Sequence, residues 1–422
     1  MSAAPTSVAP AAPRPSLESN AVSWATFFST YLPAMVLSLG AGIALPAIPV
    51  LAKSFDVTFG QASFVITAFL VGGLSGTLPT GWLLDKLGRR PVMIAGPLLT
   101  SAMALMVVFS HSFPELLIYR FLDGWASQMW MLARLAGISA RATAGQRGRQ
   151  VSWMFGMDNV GRLSGPLVGG FIAAAWGPRA TFGAYALLAL VALVPSLGSL
   201  RGRESPVTQR REDSRRMSIG EIILPRLAFF GVAFFSALAR GPIFADMLHL
   251  YAAFAYNLNA RTIGFLAATS SALVVSIGFA AGYLLDRYGR KLTMVPGFFS
   301  IGVTMLGLAV TAWLHLSFFW YVVAFVTTVA AQSLTGGSIQ TVGTDVAPPE
   351  ARGMFLGLWR FTGQLGTSLS PIGFAFLADR SGYGASFVFV AAAALVTGLL
   401  LVTVIPETRN SGASVPALGK AG

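Results

Sequence analysis

A small set of charged side chains interrupts runs that are otherwise apolar, and their spacing limits the chemistry open to them. Arg120 and Asp123 are three apart and Asp158 and Arg162 are four apart, so each pair shares one face of a helix. If the two helices run antiparallel, Arg134 comes level with Asp158, and Asp123 falls within reach of Arg162. The proton affinity of a carboxylate beside an arginine depends on what else the guanidinium touches. Such pairs are therefore candidates for proton transfer, and the plainer alternative is a static ion-pair network that sets helix packing. Further on, Arg240 sits in mid-run, Asp246 and His249 lie towards the end of the same run, and Arg360 and Gln364 are four apart. Arg162, Arg240 and Arg360 together would favour an anionic or carboxylate-bearing ligand through bidentate hydrogen bonds. Trp125 and Trp359, one turn from these charges, are the aromatics placed to contact it. His249 titrates near neutrality, but a single histidine in such a place is more often an anchor. The chain has no cysteine and three scattered histidines, so neither a metal site nor a cofactor is expected. No G-x-x-x-x-G-K-S/T run occurs to bind ATP.

The elements that must hold these residues are hydrophobic helices. Of the 422 residues 55% are hydrophobic and only 11% charged, and the mean hydropathy is +0.68. That balance lies outside the range of soluble domains. Continuous apolar runs of about 20 residues fit membrane-crossing helices, whereas a barrel would show short alternating segments. Twelve helices are predicted, roughly 23–52, 59–83, 91–110, 114–140, 150–175, 180–200, 223–255, 260–285, 292–315, 317–345, 353–378 and 382–405. The expected layout is an all-α membrane protein of two pseudo-symmetric six-helix bundles, 23–200 and 223–406. A basic linker, 201–222, joins them, and tails at 1–22 and 407–422 flank them. The net charge of +13 could suggest nucleic acid, but its placement argues otherwise. With the first tail inside, twenty basic residues fall on the inner side, and Lys53, Arg179, Arg261 and Arg380 on the outer. This asymmetry predicts a multi-pass protein of the cytoplasmic (inner) membrane with both termini cytoplasmic. It also predicts contact with the lipid bilayer and no nucleic-acid partner; a monomer is expected.

The second half repeats the first. Gly81-Trp-Leu-Leu-Asp85-Lys86-Leu-Gly88-Arg89-Arg90 returns as Gly282-Tyr-Leu-Leu-Asp286-Arg287-Tyr-Gly289-Arg290-Lys291. Each copy sits between apolar runs. Its glycines permit close helix approach and positive φ, and its acid can face the positive end of a neighbouring helix. The fifth predicted helix carries Gly161-Arg-Leu-Ser-Gly165-Pro166-Leu-Val-Gly169-Gly170. Its small residues four apart suit backbone-to-backbone packing, and Pro166 removes one hydrogen bond. Gly161 and Pro166 recur as Gly366 and Pro371, so the fifth and eleventh helices are pseudo-equivalent. Parallel repeats of this kind place a cavity between them near the membrane midplane.

These motifs resemble those of the major facilitator superfamily. The repeated loop is similar to the family's G-x-L-x-D-R-x-G-R-R/K signature, and G-x-x-x-G-P-x-x-G-G to the fifth-helix motif of its drug:proton antiporters. Arg120-Phe-Leu-Asp123-Gly124 is similar to the R-x-x-x-G of the fourth helix, whose arginine is linked to proton transfer. The resemblance runs from Trp24 to Pro406. It implies a non-enzymatic secondary transporter that exports a small organic compound in exchange for protons, with Asp85 or Asp286 latching one state of an alternating cycle. The first predicted helix lacks the carboxylate that many related drug exporters carry, which argues against a cationic substrate. Proton-coupled uptake of an organic anion, and a transporter-like sensor that moves nothing, are the alternatives.

Overall fold

The computed structural model describes residues 27–141, 144–198, 223–244, 246–288, 290–335 and 352–404, with positions 220, 339 and 343 between them. The expected tails lie outside the described residues, as does the basic linker 201–222 apart from position 220. Among the described residues there are fourteen α-helices and no strand. They are α1 Leu32–Ala44, α2 Ala47–Lys53, α3 Phe59–Leu87, α4 Arg89–Val108, α5 Phe113–Arg141, α6 Ala144–Trp176, α7 Pro178–Gly198, α8 Leu227–Phe244, α9 Met247–Ala255, α10 Ala260–Tyr288, α11 Arg290–Trp313, α12 Phe318–Ser333, α13 Arg352–Ser381 and α14 Tyr383–Val404. Eight helical stretches are long and apolar enough to cross a membrane, with α1–α2 and α8–α9 each counting as one.

Local chemistry sets several boundaries. Thr58 caps α3 by accepting from the Gln61 N–H, while the Gln61 side chain accepts from the Thr58 N–H. Gly88, at φ 80°, turns α3 into α4 with a single residue, a conformation costly for any other side chain.

Two expected continuous helices are broken. The run 23–52 is interrupted between Ala44 and Ala47, where Pro46 has no N–H to continue the ladder. The run 223–255 is interrupted before Met247, where Asp246 is left-handed at φ 55°. The two breaks fall at matching places in the repeat. The fifth predicted helix begins earlier than expected, at Ala144. The tenth ends at Ser333, and most of its expected extension to 345 lies outside the described residues.

Within the first half α1 packs on α6 and α7, α3 on α5, and α4 on α5 and α7; within the second, α8 packs on α13 and α14, α11 on α12 and α14, and α10 on α12. The halves meet through α6 with α10 and α3 with α13. The glycine ladder of α6 explains its closest contacts. A Cβ on Gly165 would lie 2.6 Å from the Gly42 Cα, and those on Gly161 and Gly169 would strike the carbonyls of Met35 and Ile43. Gly170 makes the same kind of contact with Gly264 of α10, whose Cβ would lie 2.9 Å from the Gly170 Cα.

Candidate functional site

A cavity of about 600 Å³ opens between α1–α2, α3, α5, α6, α7, α8–α9, α10 and α12. Both helix breaks border it, one through Leu45 and Pro49 and the other through Ile243, Asp246 and His249. Discontinuous helices expose backbone and polar groups at membrane depth where water or a ligand can satisfy them.

Beside the cavity stand two ion pairs. Arg120 Nη1 donates to Asp123 Oδ2 at 2.6 Å, and the Tyr185 hydroxyl donates to Oδ1 at 3.2 Å. The Arg120 guanidinium lies 4.6 Å over the Phe69 ring. Arg120 and Tyr185 line the cavity while Asp123, 2% exposed, sits behind them. One helix pair away, Arg134 donates to both oxygens of Asp158, at 3.2 and 3.5 Å, and Ser38 of α1 donates to Oδ1 at 2.9 Å. Each carboxylate is thus satisfied by groups from two or three helices, the arrangement a buried charge needs.

Arg162 behaves differently. It lines the cavity, is exposed there, and makes no hydrogen bond or ion pair with any described residue. The expected Asp158–Arg162 and Asp123–Arg162 pairings therefore do not form. Arg134 and Ser38 take Asp158, Arg120 and Tyr185 take Asp123, and the Arg162 side chain is left to the open space. Across the cavity, Asp246 Oδ1 lies 3.2 Å from His249 Nδ1 without the alignment of a hydrogen bond.

The expected cavity residues divide. Asp246 borders the space; Trp125, Arg240, Trp359, Arg360 and Gln364 do not. Trp125 is packed against α3, where a Cβ on Gly76 would lie 2.9 Å from its Cγ. Trp359 is 3% exposed and held by Phe355 and Phe230, with ring centroids 6.0 and 6.2 Å away. Arg360 is exposed on α13 and Gln364 is half-buried on the same helix. The three α13 residues share one reason: α13 is spent on packing against α8, α14 and α3, so α10 and α12 form that wall instead. Tyr185 and Gln332 were missed in the sequence reading; the signal available was a lone polar group in an apolar helix.

In the first signature loop Gly88 makes the turn. Gly81 has nothing within 4 Å of a would-be Cβ, so the close approach expected there is absent. Asp85 is exposed and bonds no described residue. Lys86 lies 4.7 Å over the Trp82 ring, the Arg89 guanidinium rests against Gly137 of α5, and Arg90 is exposed. In the second copy Gly282 and Asp286 fall late in α10, Arg290 opens α11, and Gly289 lies outside the described residues. Lys291 Nζ donates to the Val402 carbonyl at 2.6 Å.

At the end of the bundle carrying the α2–α3 and α13–α14 turns, the halves are tied together. Asp379 accepts from the Thr58 hydroxyl and the Gly60 N–H, both at 2.9 Å. Lys53 donates to the Ala253 carbonyl at 2.7 Å and to Asn257 Oδ1 at 2.9 Å. Phe59 packs among Phe254, Phe374 and Tyr383, with ring centroids 5.0 to 6.0 Å away.

An apolar helical assembly around a largely apolar cavity edged by a few charged groups, with ion pairs beside it and the halves tied at one end, is the build of a multi-pass membrane transporter rather than an enzyme. The family model of the Major Facilitator Superfamily matches residues 30–371 and 229–420, and the chain belongs to that superfamily. It is 23% identical over 390 residues to an uncharacterised MFS-type transporter of Methanocaldococcus jannaschii, covering 91% of this chain and 97% of that one. It is 25% identical to the class B tetracycline resistance protein of Escherichia coli, over 62% of this chain and 67% of that protein. It is also 27% identical to the quinolone resistance protein NorA of Staphylococcus aureus, over 35% of this chain and 38% of that one. The fold is similar to that of a D-xylose–proton symporter, with TM-score 0.74 at 18% identity, over 91% of this chain and 99% of that one.

Proposed function

We propose that the protein exports a small amphipathic compound bearing an acidic group across the cytoplasmic (inner) membrane, in exchange for protons. In this reading α1–α2 and α8–α9 each count as one span. Twelve spans then form two six-helix halves, 23–200 and 223–406, that rock about the cavity, with both termini cytoplasmic and the unit a monomer. The α6–α10 and α3–α13 contacts are the surfaces on which the halves move. Likeness to proteins named for tetracycline and quinolone resistance supports export.

The observation that carries the substrate class is Arg162, a guanidinium open to the cavity and paired with no described residue. Keeping such a charge unpaired in a membrane is costly unless water or a ligand anion compensates it, and a carboxylate or sulfonate matches its fork. Asp123 is the acid assigned to the proton. Its partners Arg120 and Tyr185 both face the cavity, so a ligand arriving near them competes for the groups that hold Asp123 and changes its affinity for the proton, which couples the two.

The test is a thermal-shift panel on purified protein, comparing aryl carboxylates, aryl sulfonates and lipophilic cations. Anions are expected to stabilise the wild type, and the shift is expected to vanish in Arg162→Ala. Stabilisation by cations alone overturns the reading. Direction is then set in liposomes by gradient polarity. Substrate entry into acid-interior vesicles marks exchange, whereas entry that requires an acid exterior marks the uptake reaction instead.

A further inference from the structure

The part of the cavity wall that the second half supplies holds polar groups that the reading above leaves without work. Phe325, Val329 and Gln332 lie at i, i+4 and i+7 on α12 and all line the cavity, so they form one stripe facing it. His249 packs edge-on against Phe325, with ring centroids 5.3 Å apart, which puts it on the same wall. Gln332 is 3% exposed and His249 4% exposed, yet neither Gln332 Oε1 nor either ring nitrogen of His249 has a hydrogen-bond partner among the described residues. Buried polar atoms without partners are rare because each forfeits its hydration. Two such side chains on one cavity wall point to a ligand group that supplies what is missing. Asp246 adds a carboxylate at the helix break, one-third exposed on its side chain and beside His249.

Asp246 gives the set its negative charge, and acceptors stand beside it. Asp246 accepts only, and Gln332 Oε1 is an acceptor. A neutral His249, 3.2 Å from the Asp246 oxygen, carries one N–H and one bare ring nitrogen, so it adds one acceptor to the set. Acceptors offered along one wall by α8–α9 and by α12 about two turns on fit a positively charged donor, an ammonium or amidinium, on an extended basic end. On the wall that the first half supplies, Arg162 and the paired Arg120 fit an anion. We propose that Asp246, His249 and Gln332 form a second subsite that binds the basic end of the substrate, and that the substrate is a dipolar molecule with an acidic and a basic end on an apolar body. The inference rests on the assignment of Arg162 to an acidic group and adds the group at the other end.

The experiment measures binding to the purified full-length protein by isothermal calorimetry, with probes built on one ring and on two. Each series has a rigid aryl body carrying a carboxylate at one end and an aminomethyl group at the other, the same body with the carboxylate alone, and the same body with the amine alone. In at least one series the dipolar compound is expected to bind about ten-fold or more tightly than the carboxylate, the scale of one further charge-assisted hydrogen bond. Asp246→Asn and Gln332→Leu are each expected to shrink that ratio towards one, and Gln332→Glu to widen it, so a gain as well as a loss is read. Arg162→Ala is expected to weaken the carboxylate and dipolar compounds together. Carboxylate binding that is sensitive to Arg162 but unimproved by the amine overturns the second subsite and leaves the first reading standing. Binding by the amine alone, or by none of the probes, overturns both. A ratio that persists in both Asp246→Asn and Gln332→Leu overturns the placement.

Discussion

The two aspartates beside the cavity look alike in sequence, each within four residues of an arginine on its own helix, yet their surroundings give them different work. The partners of Asp123 face open space, whereas Asp158 is held by Arg134 and Ser38 between α1, α5 and α6. Asp123→Asn keeps the shape and loses the titrating charge. Proton-driven flux in liposomes is expected to fall about 100-fold or more, the scale of losing a positioned proton carrier. Asp158→Asn instead leaves Arg134, 5% exposed, short of its counter-charge. The expected cost is stability, on the order of 3 kcal/mol for a broken buried pair, read as a lower melting temperature by fluorescence-detected size exclusion. If Asp158→Asn abolishes flux at unchanged melting temperature, the roles are exchanged.

At the scale of elements the decisive feature is how closely helices approach. The α1–α6 contact is backbone on backbone at Gly42 and Gly165, so no side-chain rotation can relieve a larger residue there. Gly165→Leu is expected to cost more than about 3 kcal/mol, at or beyond the upper end of ordinary overpacking. Gly183→Ala in α7, where nothing stands within 4 Å of the added carbon, is expected to gain roughly 0.5–1 kcal/mol through helix propensity. Equal melting temperatures for the two variants would refute the close-packing account. These contacts were legible in sequence because small residues four apart leave a periodic trace. The repeated loop was legible for a similar reason, since Gly88 alone supplies a positive φ that a one-residue turn requires. The helix breaks were not read. Pro46 and Asp246 each sit in apolar runs long enough for one span, and a break whose freed backbone groups face a cavity leaves the composition unchanged. Nor could spacing show that α13 turns Trp359 into core, because heptad-like position tells which face a residue occupies but not what lies opposite. The stretches absent from the spans long and apolar enough to cross a membrane include α5 and α6, whose charges serve the cavity and lower their hydropathy.

For the whole molecule, α3 and α13 run antiparallel across the meeting of the two halves, so each ends where the other begins. At one end the Asp379 carboxylate of α13 caps the start of α3 through Thr58 and Gly60, where the helix dipole favours negative charge. At the other end of α3 its own acid, Asp85, is exposed and bonds no described residue. If the halves rock as proposed, a cavity held shut at this end could pass nothing there, so transport breaks the Asp379 tie once per cycle and a covalent bond at that place stops it. A Cβ built on Gly60 lies 2.6 Å from the Asp379 Cγ, so the two Cβ atoms come within about 4 Å, inside disulfide range. The chain contains no cysteine of its own, so a pair introduced as Gly60→Cys with Asp379→Cys can react only with itself. Under oxidant, flux through the double variant is expected to cease, and under reductant to return, while either single variant is indifferent to both. Undiminished flux through a bond shown by mass spectrometry to be complete would mean that the halves do not separate here, and that the cavity is reached by another route.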